Sequence, residues 1–106
     1  MDKERLRDLL WDATADSNDE DEEFWGLFYA LAEGGLTLPL KAKVLGDLVE
    51  VVDLDGASSG LRRGITALVR KGDREYPVAL AELEFVNPDP MSAEWLEVYR
   101  YWLGLR

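Results

Sequence analysis

Residues 40–54 read Leu-Lys-Ala-Lys-Val-Leu-Gly-Asp-Leu-Val-Glu-Val-Val-Asp-Leu. Leu40, Ala42 and Val44 alternate with Lys41 and Lys43, Gly46-Asp47 interrupts, and apolar residues resume from Leu48 to Leu54. Alternation with period two marks a strand with one buried face, and a Gly-X pair between two such runs predicts a type II′ hairpin. The device recurs downstream: Ile65, Ala67 and Val69 lead into Arg70-Lys71, Gly72-Asp73 makes the turn, and Tyr76, Val78 and Leu80 alternate out again. Two consecutive hairpins imply an antiparallel sheet. The joining segment, Asp55-Gly-Ala-Ser-Ser-Gly60, has the composition of a flexible loop.

Helical periods flank this region. Leu6, Leu9 and Leu10 lie at i, i+3, i+4 within residues 3–12 and predict a short, weakly packed amphipathic helix. Loop composition follows from Asp12 to Asn18. Phe24, Leu27, Phe28 and Leu31 then repeat at i, i+3, i+4, i+7, with Ser17 and Glu20 at capping-box spacing and Gly34-Gly35 as the stop, so a second helix is expected from about Asn18 to Glu33. Asn87-Pro-Asp-Pro90 ends the strands. Pro90 can open a helix that carries Trp95, Tyr99 and Trp102 at i, i+4, i+7, capped by Asp89 or Ser92. The expected fold is therefore α+β: two N-terminal helices, a small antiparallel sheet of four to five strands that could curl into a partly closed SH3-like barrel, and a C-terminal helix. At 106 residues and 47% apolar content, one domain is expected, with residues 1–17 an acidic, partly flexible extension of a core at 18–106.

Charge is distributed unevenly. Between Asp8 and Gly35 stand nine carboxylates and no Lys or Arg; residues 1–35 sum to −8, and the remaining residues to only −2. Clustered like charges oppose compaction unless a cation or a basic partner relieves them. A chain at net −10 is repelled by phosphate backbones and by anionic membranes, so neither is expected as a partner. Cysteine and histidine are both absent. Hard oxygen ligands remain, and these suit calcium, magnesium or manganese. The charged start, Met-Asp-Lys-Glu-Arg, is followed by no long apolar run, which leads us to expect no signal peptide, no membrane span and a cytoplasmic location.

The candidate metal ligands are Asp16, Asp19, Glu20, Asp21, Glu22 and Glu23. Successive helical residues point about 100° apart, so these acids cannot all reach one ion. Asp19 with Glu22 and Glu23, or Asp16 with Glu20, are the sets that could. Carboxylates in a first turn also interact favourably with the helix dipole, and a solvated, well-started helix is the alternative explanation of the run. Residues 12–23, DATADSNDEDEE, end in Glu as an EF-hand loop does, but Ser17 stands where the turn glycine is required. Catalysis is not expected: there is no histidine base, no cysteine nucleophile and no GxSxG, P-loop or GxGxxG motif. A rival reading makes the acidic helix a protein-interaction module for a basic partner.

The segments Phe24–Glu33, Leu38–Gly46, Val49–Asp55 and Ala93–Leu103 resemble the small bacterial calcium-binding family named for CcbP, over about residues 20–103. The hairpin and the Glu94-Trp95…Tyr99-Arg100…Trp102 helix carry the likeness, and both are packing motifs. The resemblance implies a soluble, non-EF-hand protein that holds Ca2+ through surface carboxylates and buffers or carries cytosolic calcium.

Overall fold

The computed structural model describes residues 2–105. Among them the chain forms α1 (Lys3–Ala13), α2 (Glu20–Ala30), β1 (Leu40–Val44), β2 (Asp47–Leu54), β3 (Thr66–Lys71), β4 (Arg74–Ala79), β5 (Glu84–Phe85) and α3 (Pro90–Gly104). The expected α+β order is present. Backbone contacts separate a helical unit, the chain to Leu36 together with the chain from Asp89, from a sheet unit, Thr37–Pro88.

In the sheet unit the strand order is β4-β3-β2-β1-β5 with every neighbour antiparallel. The sheet is open, not closed as an SH3-like barrel. Closure would require its two edges to pair, yet β5 has two residues and β4 carries Pro77, which has no N–H for a ladder. The second hairpin turns at Gly72-Asp73 as expected: Lys71 pairs with Arg74, and Gly72 has φ +64° while Asp73 is not among the positive-φ residues, the pattern of a type II′ turn. The first differs. Its turn is Leu45-Gly46, one residue early, and φ is positive at both (+52° and +83°), the pattern of type I′. That register sets Leu40 opposite Val51 and Ala42 opposite Val49, all four buried. A turn at Gly46-Asp47 would instead have set Asp53 opposite Leu40, placing a carboxylate on the apolar face.

Val52 is an extra residue in β2, because Val51 pairs with Val69 while Asp53 pairs with Leu68. This bulge shifts the alternation by one, so that Val49, Val51 and Leu54 are buried and Asp53 is exposed. The Asp55–Gly60 connection is more ordered than its composition suggests. Gly56–Ser58 form a 3-10 turn, the Ser59 hydroxyl donates to the Asp55 carbonyl (2.7 Å) and accepts from the Thr66 N–H (2.9 Å), and the Thr66 hydroxyl donates to the Ser58 carbonyl (2.9 Å). Of the bases at the strand ends, Arg70 pairs with Glu50 and Lys71 with Asp47 (3.0 Å).

In the helical unit α1 is docked by more than its leucines. Leu6 and Leu10 are buried, and Arg5 forms a two-point ion pair with Glu94 of α3. Helix α2 starts at Glu20 with Asp19 as its cap, two residues beyond the Ser17/Glu20 box expected from spacing. It continues into a wider turn, Leu31–Gly35, closed by the Leu36 N–H to the Leu31 carbonyl (3.0 Å), with Gly34 at φ +139°. Phe24, Phe28, Tyr99 and Trp102 are core residues, whereas Tyr29 is exposed. Asp89 caps α3 through the Ser92 N–H (3.1 Å), and Pro90 takes its first position.

Two predictions follow from this packing. Glycine inside a helix costs about 1 kcal/mol relative to alanine, so an open site would gain from Gly26→Ala. A Cβ on Gly26 would lie 2.6 Å from the Ala13 carbonyl oxygen, which is backbone at the end of α1. Gly26→Ala is therefore expected to lower Tm in a thermal melt, and a rise would contradict the close approach. The Arg5 guanidinium, bonded to Glu94, holds that carboxyl below its ordinary value. Its stabilisation is complete above the unfolded carboxyl value of about 4.3 and disappears as pH falls through the lower folded value. Urea midpoints of the wild type and Arg5→Ala should thus differ at pH 7 and converge as pH falls below the folded value of Glu94.

Candidate functional site

The acidic region spans the end of α1, a six-residue connection and the first turn of α2. Thr14 ends α1: its N–H and hydroxyl both donate to the Leu10 carbonyl, at 3.0 and 2.8 Å. Ser17 donates back to the Thr14 carbonyl (3.0 Å). These bonds consume carbonyls that a helix end leaves without partners. The chain then straightens at Asp19 (φ −148°, ψ 176°) and enters α2.

The six predicted ligands divide by what they do there. Asp19 caps α2 by accepting from the Glu22 N–H (2.8 Å), and Glu22 reaches back to accept from the N–H of Asn18, the residue before the cap (2.8 Å). Each keeps a second carboxylate oxygen. Glu20 and Glu23, one turn apart on α2, line a hollow of about 250 Å³ together with Leu10, Trp11, Thr14, Trp102 and Leu105. Asp16 and Asp21 are exposed and do not line it. No three carboxylates of the described residues converge into a metal-holding group. Asp19, Glu22 and Glu23 are accordingly not gathered into a three-carboxylate set.

The charges of this region nevertheless have no ion-pair partner among the described residues. Among the described residues the ion pairs use Glu94, Glu50, Asp47 and Glu97, and none uses an acid between Asp8 and Glu33. In β2, Asp47 pairs with Lys71, and Asp53 accepts from the Leu54 N–H (2.8 Å). Sequence reasoning missed Trp11 and Thr14. Trp11 lies off the Leu6–Leu10 stripe of α1, is 61% exposed, and has the Arg7 guanidinium 5.0 Å from its ring. An aromatic outside its helix's apolar stripe was the available signal.

No curated protein matches the chain. Two solved structures have the same fold. The crystal structure of Anabaena CcbP superposes with a TM-score of 0.85 at 21% identity, covering 97% of this chain and 92% of that one. A structure described as a calcium binding protein in the calcium-binding form gives 0.82 at 21% identity, with the same coverage. The family model described as "Calcium binding", that of CcbP, matches residues 9–103, and with nearly the whole chain inside that match, the protein belongs to the CcbP calcium-binding family.

Proposed function

We propose that this protein binds Ca2+ through surface carboxylates around the start of α2 and serves as a cytosolic calcium buffer or carrier, without catalysis. The observation that carries the reading is the uncompensated charge: none of the acids from Asp8 to Glu33 is ion-paired among the described residues. Membership of a calcium-binding family supports the identity of the ion.

The proposed ligands are Asp16, Glu20, Asp21 and Glu23, with the second oxygens of Asp19 and Glu22 available without loss of the cap. Calcium accepts six to eight oxygens in irregular arrangement, which suits exposed, separately mounted carboxylates better than the tight octahedron of magnesium. Drawing free side chains together costs conformational entropy, and exposed charges are screened over about 8 Å at physiological salt. Affinity should therefore be modest, with dissociation constants in the ~10⁻⁶ to 10⁻³ M part of the calcium-site range.

Titration at low salt tests this. Calcium at 100 times its dissociation constant should stabilise the fold by about 2.7 kcal/mol, raise Tm, and lose much of that effect as salt is added. An unchanged melt in millimolar calcium would exclude the proposal. Substitution localises the site. Asp16→Asn, Glu20→Gln, Asp21→Asn and Glu23→Gln combined should weaken binding while leaving both capping bonds and the apo fold intact. Glu82→Gln with Glu84→Gln, outside the cluster, should change binding far less; equal losses would assign calcium to diffuse surface charge.

A further inference from the structure

The sheet register sets Lys41 of β1, Glu50 of β2, Arg70 of β3 and Glu75 of β4 directly opposite one another in a single row. Opposed residues share a face of the sheet. Here it is the outer one, because their neighbours in sequence, Leu40, Ala42, Val49, Val51 and Val69, are buried. Charge alternates along the row. Its two central members pair with each other, Arg70 with Glu50. The two ends, Lys41 and Glu75, are exposed and enter no ion pair among the described residues. Three strand spacings, about 14 Å, keep them from reaching one another.

We propose that this outer sheet face binds a second copy of the chain about a two-fold axis that runs along the strands between β2 and β3. Rotation about that axis brings β2 over β3 and β1 over β4 of the other copy. Lys41 then faces the second copy's Glu75, and Glu50 faces its Arg70, each contact occurring twice. An alternating row with an even number of charges is self-complementary under this rotation, whereas a partner surface of one sign would oppose two of its four members. Aligned sheets pack about 10 Å apart and within about 30° of each other, a gap that Lys, Arg and Glu side chains can fill. The apolar residue beside the row fits the same axis. Leu48, two residues before Glu50, is 55% exposed. It comes over the second copy's Gly72, two residues after Arg70, where even a Cβ would meet nothing within 4 Å. Leu48, Gly72, Lys41, Glu50 and Arg70 already line a common hollow of about 290 Å³, so each copy offers the other's leucine a place.

Sedimentation equilibrium of the full chain at concentrations up to about 1 mM tests the assignment. A chelator is present, so that calcium cannot bridge the acidic clusters of two copies. The wild-type mass should move from one chain toward two as concentration rises. Lys41→Glu and Glu75→Lys each create two like-charge contacts across the axis, and each alone should weaken association at least about tenfold. Their net charges move in opposite directions from −10, to −12 and to −8. General repulsion would therefore weaken the first and strengthen the second. An equimolar mixture of the two variants should associate to within a few-fold of the wild type, since acids at the row ends of one then face bases on the other, and that recovery also shows both to be folded. Leu48→Ser should weaken the wild-type association by several-fold. A single-chain mass for the wild type at about 1 mM, stronger association in Glu75→Lys, or a mixture that stays monomeric would each overturn the proposal.

Discussion

The hydrogen bond from the Glu22 N–H to the Asp19 carboxylate sets where α2 begins, and the helical unit is organised around that start. Asp19–Glu23 are five acids in succession. In mid-helix they would repel one another with nothing in return. At an N-terminus each meets the positive end of the helix dipole, at about 0.3–1 kcal/mol, and two of them satisfy N–H groups that would otherwise lack partners. Charge density and helix start are thus one device. It lets Phe24 follow directly after the acids and be completely buried, half-exposed Glu23 being the last residue before the core.

What was legible in the sequence follows from how local each cause is. Periodicity located both hairpins and all three helices, because alternation and the i, i+3, i+4 stripe are properties of short windows. Gly72-Asp73 could be read as a turn from two residues. Leu45-Gly46 could not, since leucine is a poor choice for positive φ and the register is decided across strands, by keeping Asp53 off the buried face. The two-residue β5 and the bulge at Val52 depend on partners in β1 and β3 and had no local mark.

The site divides in the same way. That the first turn of α2 is the charged end was plain from composition. Which acids are committed to capping depends on a two-residue shift of the helix start, from Ser17 to Asp19, and spacing alone does not settle boundaries that finely. The hollow draws on residues near 10, 20 and 105, three segments that only the packing of α1, α2 and α3 joins. The passage of Gly26 against the Ala13 carbonyl belongs to the same packing, and its glycine reads in isolation as a mere weakness in the helix.

Pro77 has a consequence beyond keeping the sheet open. A free strand edge is a template on which further chains can add, and the risk rises with protein concentration. Here one edge strand is interrupted by a residue that cannot donate, and the other is only two residues long. In the buffer role proposed above, a protein would act through quantity, since each molecule removes only the few ions it holds. A sheet whose borders refuse further strands is one that a cell can accumulate.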